Sequence, residues 1–322
     1  MKALYFEQTG DAQSVLLLKQ FDKPTPKANQ VIVKLLVSNI NPSDFFFISG
    51  TYRFKPELPQ IAGFEGVGII DSVGEGVILP VGALVAFFSK NAWAEYAAIP
   101  QEDVIVLPDD FPVEKASQFT LNPITAWGLL ERAAVKADDW LLLTAGNSVV
   151  SKLLIQIARQ RNINVIATVR DTKNTSTLTA YGAHVINVTQ TNLVEGVQQI
   201  TGGKGVNVAL DAVGGKTGTD ALKCLQPGGK LIIYSRLSAD PVQFYNNDVL
   251  YKNLTITGFG VRAYLDSKTP GQKQEIIQSL IKIIGAPDFK MEVAATYPLD
   301  DYQEAIKTVA EAKQEGKVLF RF

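Results

Sequence analysis

Seven consecutive residues, Ala145-Gly146-Asn147-Ser148-Val149-Val150-Ser151, have the sizes and polarity to wrap a phosphate. They follow an apolar run, Leu141-Leu142-Leu143, and precede a segment with helical apolar spacing at Leu153, Leu154, Ile157 and Ala158. A second β-branched run, Val165 to Val169, comes next. Strand, turn, helix and parallel strand place such a turn at a carboxyl-end crevice. There the free N–H groups and positive dipole end of a helix N-terminus meet a pyrophosphate. The turn is therefore expected to hold a dinucleotide. Two of the three glycine places of the usual fingerprint hold Ser148 and Ser151, and a serine at the last place still lets the helix pack close to the strand. A structural βαβ unit without a ligand is the alternative reading.

The choice of nucleotide rests on the end of the next strand. About 20 residues beyond the loop, NAD-binding proteins place an Asp or Glu that accepts hydrogen bonds from the ribose hydroxyls. Here that place holds Arg170, whose planar fork of donors suits a 2′-phosphate. Asp171 is the competitor, but neighbours at a strand end face opposite ways, and Lys173 makes the local field more positive. NADPH is the expected cofactor.

Around this unit the pattern is that of a two-domain protein. The 322 residues are 46% hydrophobic and 20% charged, enough for a sizeable core. With 31 basic against 32 acidic residues and no basic run, the electrostatic footprint of nucleic-acid binding is missing. No apolar run approaches the ~18 residues of a membrane span, and Met1-Lys2 leads straight into a strand-like segment with no signal-peptide core. A soluble, cytoplasmic protein acting on a small molecule is expected, with no membrane partner.

Residues 1–120 read as mainly β, with short strands at Val31–Val37, Gly66–Gly74, Leu84–Phe88 and Ala94–Ile99, a barrel-like pattern. Between the first two lies a segment, Asn39 to Gly63, expected to be irregular and to carry chemistry. Residues 121–262 alternate strand and helix. Strands are expected at 141–143, 165–169, 185–188, 206–212, 230–234 and 254–259, the count of a doubly wound parallel sheet, with Ala221–Leu225 as one of the helices. The tail, 263–322, is expected to rejoin the N-terminal domain with helices at 272–284 and 301–312 and a last strand at 317–322.

One cysteine, Cys224, and one histidine, His184, scarcely supply a zinc site, which takes three or four Cys, His or carboxylate ligands. Cys224 reads as a small core residue and His184 as a strand-entry residue, so no metal is expected. Asn122 and Pro123 read as an N-cap and first helical residue, while Asn122, Thr125 and Ala126 also form a small, polar wall suited to a nicotinamide. Asn41 and Asp44, around Pro42, read as turn formers. Tyr52 is one of ten tyrosines and, on its own, reads as packing a loop.

Motifs in order along the whole chain then resemble the medium-chain dehydrogenase/reductase superfamily, in its zinc-independent branch of quinone reductases and trans-2-enoyl-CoA reductases. They are Ile40-Asn41-Pro42-Ser43-Asp44, Gly50-Thr51-Tyr52 with Pro56-Glu57-Leu58-Pro59, Glu65-Gly66-Val67-Gly68 and Asn122-Pro123-Ile124-Thr125-Ala126. Further on come Asn147-Ser148 with Ile155-Gln156-Ile157-Ala158, Val169-Arg170-Asp171, Ala212-Val213-Gly214-Gly215-Lys216 and Pro298-Leu299-Asp300-Asp301-Tyr302. The resemblance implies a Rossmann nucleotide-binding domain, a GroES-like catalytic domain built from both chain ends, and a homodimer.

It also implies that Tyr52 is catalytic and that Asn122, Asn147, Ser148, Val149, Val150, Arg170 to Thr172, Tyr234, Ser235 through Leu237, Phe259, Gly260, Val261 with Arg262, and Lys317 contact NADPH. Gly146 belongs to the same loop, and Thr125 to the same wall. The chain departs from the family at Val149 and Ser151, in place of loop glycines, at Ser235-Arg236, in place of a glycine pair, and at Gly260, in place of a large aromatic. Hydride delivered to a conjugated thioester, enone or quinone puts charge on a carbonyl oxygen, which a tyrosine hydroxyl can stabilise and protonate. An NADPH-dependent reductase of such acceptors is therefore expected. The rival, motivated by the departures, is a nucleotide-binding sensor or structural protein with the same fold and little turnover.

Overall fold

The computed structural model describes residues 1–173, 175–311 and 315–322. They form two compact units, one of Met1–Leu121 with Leu280–Phe322 and one of Asn122–Ser279. No helix among the described residues is long and apolar enough to cross a membrane.

The unit of Asn122–Ser279 is built on a six-stranded sheet in the order Ala183–Asn187, Asn164–Val169, Trp140–Leu143, Val206–Asp211, Leu225–Ile233, Thr255–Gly258. Numbered along the chain this is 3-2-1-4-5-6, all parallel, the order of a doubly wound nucleotide-binding sheet. A central strand covered on both faces must be apolar throughout, and Leu141, Leu142 and Leu143 are buried. Leu142 lies opposite Ile166 on one side and Ala209 on the other, and all three join Val206, Leu222 and Leu231 in one core. The helix Val149–Gln160 buries Leu153, Leu154, Ile157 and Ala158, the spacing that marked it in the sequence.

Several boundaries differ from the sequence expectation. The helix expected at Ala221–Leu225 is Gly215–Lys223, and the following strand starts at Leu225 instead of Lys230. Gly228, at φ +76, and Gly229 interrupt the apolar pattern without ending the strand, and the register shifts beside them. The return to the first unit comes at Leu280 instead of 263. Residues 261–279 stay behind because Tyr264 and Lys268 bind Glu131, at 2.8 and 2.6 Å, on the helix Asn122–Ala133.

The other unit carries a seven-stranded sheet. Lys317–Arg321 lies between Val293–Pro298, parallel to it, and Gln30–Asn39, antiparallel. Glu65–Val73, Leu84–Phe88 and Val104–Val106 continue the sheet, and Tyr96–Pro100 also pairs with Gln30–Asn39. A three-stranded sheet places Lys2–Phe6 between Leu17–Gln20 and Gln60–Ile61. The segment expected to be irregular contains a helix, Pro42–Ile48. Pro42 opens it, the Asp44 carboxylate accepts the Asn41 N–H at 2.7 Å, and Phe47 and Ile48 are buried against Phe6 and Phe64. The run Phe45-Phe46-Phe47-Ile48 has no helical apolar period, which hid the helix. Tyr302–Glu311 is the last helix, and Ala312, its expected end, lies outside the described residues.

Candidate functional site

The loop after Trp140–Leu143 is held from both sides. Ala145 takes a left-handed conformation at φ 54, and the Gly146 amide donates to the Thr168 carbonyl at 2.7 Å. Ser148 is the N-cap of Val149–Gln160: its Oγ accepts the Ser151 N–H at 3.2 Å and donates to Ser151 Oγ at 3.0 Å. Ser151, 0% exposed, donates in turn to the Thr144 carbonyl at 3.4 Å. The two serines at glycine places thus fasten the helix start to the strand. Val149 and Val150 form its first turn, where backbone N–H groups have no helical acceptor. The Tyr234 hydroxyl reaches Ser151 and Ser148, and burial pushes its pKa up to about 12.

A residue the sequence reading missed organises the neighbouring turn. Asp211, buried at the end of its strand, accepts from Thr144 Oγ1 at 2.8 Å and from the amides of Val213 and Gly214 at 3.0 Å. Thr144 Oγ1 also accepts the Ala212 amide at 2.8 Å. The only signal was an acid at a strand end before Gly214-Gly215. Phe259, whose amide continues the ladder to the Ile233 carbonyl at 2.9 Å, leads into exposed Gly260 and half-buried Val261. Ser235 is exposed after Tyr234.

Two buried side-chain atoms of this unit have no partner among the described residues: Asn122 Nδ2 and Asn147 Oδ1. Asn122 is the first residue of its helix instead of the N-cap, with Pro123 second, and Thr125 lies one turn on. An orphaned buried polar atom costs about 1–3 kcal/mol. The orphan acceptor of Asn147, one residue before the N-cap Ser148, and the orphan donor of Asn122, at the start of its own helix, suit the polar groups of a dinucleotide. At the end of Asn164–Val169, Arg170 is exposed and its guanidinium has no hydrogen-bond or ion-pair partner among the described residues. Asp171 accepts the Lys173 amide at 3.1 Å in a local turn, and Thr172 is exposed beside it.

The other unit buries a polar cluster. Glu65 accepts five hydrogen bonds: Oε2 from Asn39 Nδ2 (2.8 Å) and Asn41 Nδ2 (2.9 Å), and Oε1 from Thr120 N (2.8 Å), Thr120 Oγ1 (2.7 Å) and Leu121 N (2.8 Å). Lys317, expected at the nucleotide, belongs to this cluster: its buried ammonium donates to Asn41 Oδ1 and to the Ile40 carbonyl. Burial pushes its pKa down, and Glu65 and Asp44 oppose that. Tyr52 follows the helix Pro42–Ile48, its amide bonded to the Phe46 carbonyl at 2.9 Å. Its half-buried ring packs on Phe64, centroids 5.5 Å apart, and meets Phe54 edge-on at 5.0 Å. Burial raises the pKa of its hydroxyl, Arg53 opposes, and Asp44 adds to the rise.

Comparison with known proteins follows the same division. The family model for zinc-binding dehydrogenases matches residues 149–281, and that for the alcohol dehydrogenase GroES-like domain matches residues 27–109. The chain is 31% identical to the mitochondrial enoyl-acyl-carrier-protein reductase of Bos taurus, over 95% of this chain and 85% of that protein. It is 31% identical to the reductase of that name from Xenopus tropicalis, over 95% and 91%. Among solved structures it is similar to Escherichia coli quinone oxidoreductase complexed with NADPH, at a TM-score of 0.91 and 28% identity over 100% of both chains. A mycobacterial quinone oxidoreductase gives a TM-score of 0.89 at 28% identity, again over 100% of both.

Zinc, named in the first family description, does not fit the donors of this chain. The described residues contain no group of three or more His, Cys, Asp or Glu able to hold a metal. The single thiol, Cys224, is buried in the core of the nucleotide-binding-type sheet.

Proposed function

This chain belongs to the medium-chain dehydrogenase/reductase superfamily, in its quinone reductase and enoyl reductase branch, and from that premise we propose that it reduces conjugated carbonyl compounds with NADPH and without zinc. It is an oxidoreductase. The observation that carries the cofactor reading is the pair of orphaned buried atoms, Asn122 Nδ2 and Asn147 Oδ1, in the unit whose carboxyl-end loop is capped by Ser148.

NADPH supplies a hydride when bound. The residues proposed to bind it are Gly146, Asn147, Ser148, Val149 and Val150 for the pyrophosphate, with Arg170 and Thr172 for the 2′-phosphate. Asn122, Thr125, Tyr234, Ser235, Phe259, Gly260 and Val261 would contact the rest. Lys317 remains in the proposed set, and its ammonium also holds Asn41. Tyr52 is the proposed acid, donating its proton where charge gathers on the carbonyl oxygen of the acceptor.

Of the acceptors, 2-enoyl thioesters are favoured by the enoyl reductases among the relatives, and quinones and enones share the same charge development. A homodimer is part of the proposal. Among the described residues the edge strand Thr255–Gly258 has one unpaired side, and exposed Leu237, Tyr245, Leu250 and Tyr251 precede it. A cytoplasmic location stays a proposal, since the relatives named above are mitochondrial.

The test is NADPH oxidation with crotonyl thioester and a quinone panel, in chelator, beside an equilibrium titration of NADPH. Turnover that survives the chelator supports the reading. Tight binding with no turnover on any acceptor would favour the sensor instead.

A further inference from the structure

Three ionisable side chains are buried together in the unit of Met1–Leu121 and Leu280–Phe322: Asp44 and Glu65, each 0% exposed, and Lys317, 8% exposed. Two carboxylates and one ammonium would leave one uncompensated negative charge in the interior, an arrangement that proteins relieve by taking up a proton. Five donors surround the Glu65 carboxylate and offset the cost of burying its charge.

Asp44 is held by fewer donors. Its Oδ2 accepts the Asn41 N–H at 2.7 Å, while its Oδ1 is buried with no partner among the described residues. Tyr52 follows the helix that Asp44 caps, its amide bonded to the Phe46 carbonyl at 2.9 Å, and a charge on Asp44 raises the pKa of its hydroxyl.

We propose that Asp44 carries the proton that neutralises this cluster, and that it is a positioning residue for Tyr52, leaving the hydroxyl a stronger acid while neutral and a weaker one once ionised. Asp44 was set aside in the sequence as a turn former, and capping the helix Pro42–Ile48 uses only one of its two oxygens. The proposal rests on Tyr52 being the acid of the reaction.

The charged and titratable groups around Asp44 are Glu65, Lys317 and Tyr52, with Arg53 over the Tyr52 ring. Burial pushes the Asp44 carboxyl up to about 7, with the same push from Glu65 and opposition from the Asn41 amide, Lys317 and the Phe64 amide. Below that pH Asp44 is neutral. Above it the negative charge raises the Tyr52 pKa further and weakens proton donation, so kcat on an enoyl thioester falls as pH rises.

Two measurements on the full-length protein test this. Infrared difference spectra of the wild type should show the carbonyl stretch of a buried carboxylic acid below about pH 7, lost above it and missing in Asp44→Asn. This needs no turnover. The kcat–pH profile on crotonyl thioester should fall several-fold across the same range in wild type and be flat there in Asp44→Asn. A carboxyl at Asp44 that ionises in the ordinary range near 3.8 overturns the proposal. So does a profile that Asp44→Asn leaves unchanged while Tyr52→Phe abolishes turnover, a result that keeps Tyr52 as the acid. If Tyr52→Phe keeps full enoyl turnover, the proposal and the Tyr52 reading fall together. Should Asp44→Asn not fold, the wild-type infrared band and the wild-type profile still decide: no band below neutral pH, or no fall in kcat, overturns it.

Discussion

Gly146 and Thr168 approach so closely that no side chain fits between them. The Gly146 amide donates to the Thr168 carbonyl at 2.7 Å, and a Cβ on Gly146 would stand 2.9 Å from that oxygen and from Ala167 Cβ. Backbone must therefore move to admit even alanine. Gly146→Ala should cost about 1–3 kcal/mol of stability, the usual range for overpacking, and weaken NADPH binding as the loop shifts. Chemical denaturation and a nucleotide titration check this. A wild-type midpoint with wild-type affinity would show that the loop is loose.

Among the described residues the Arg170 guanidinium is unengaged, and Asp171 is occupied by the Lys173 amide. NADPH should be preferred over NADH. Arg170→Ala should weaken NADPH by about 1.5–3 kcal/mol, the range for a hydrogen bond to a charged group, and hardly change NADH. Equal affinity of the wild type for the two cofactors would return Arg170 to the status of a solvated strand-end charge.

For Tyr52→Phe the ring packing on Phe64 and Phe54 is kept and only the hydroxyl goes. Enoyl turnover should fall by about 10²–10³, as for other lost donors to a developing oxyanion, with NADPH affinity unchanged. Quinones should lose less, because their reduced oxygen is the better stabilised anion. A uniform loss on all acceptors together with a lower melting temperature would point to packing.

Cys224 is the only thiol, and burial pushes its pKa up to about 12. A thiol this protonated and this enclosed is a poor nucleophile. Native protein should not react with a thiol-specific chromogenic reagent, and unfolded protein should release one equivalent. Fast reaction of the native protein would mean that the core around Leu222 and Leu225 opens readily.

Much of the unit built on the six-stranded sheet was legible because each strand is an apolar run bounded by small residues, as Leu141–Leu143 and Val165–Val169 are, and because parallel strands show their burial directly. The serines were harder. Ser148 and Ser151 look like losses from a glycine pattern, and only the structure shows one as the N-cap and the other as a tie to Thr144. Glu65 was legible as part of a motif but not as the centre of a cluster, since its partners Asn39 and Thr120 are far along the chain in opposite directions. Asp211 escaped because its tie to Thr144 spans 67 residues. The helix Pro42–Ile48 was hidden by a run of aromatic residues with no apolar period, although Pro42 and Asp44 carried its start signal.

The most direct measurement is hydride transfer itself. NADPH deuterated at the transferable C4 position would be incubated with the protein and crotonyl thioester, and the product examined by mass spectrometry and NMR. The expected result is saturated butyryl thioester carrying deuterium at the β-carbon, formed at a rate unaffected by chelator and greatly reduced in Tyr52→Phe. Bound NADPH that stays reduced in the presence of enoyl thioesters, enones and quinones alike would contradict it.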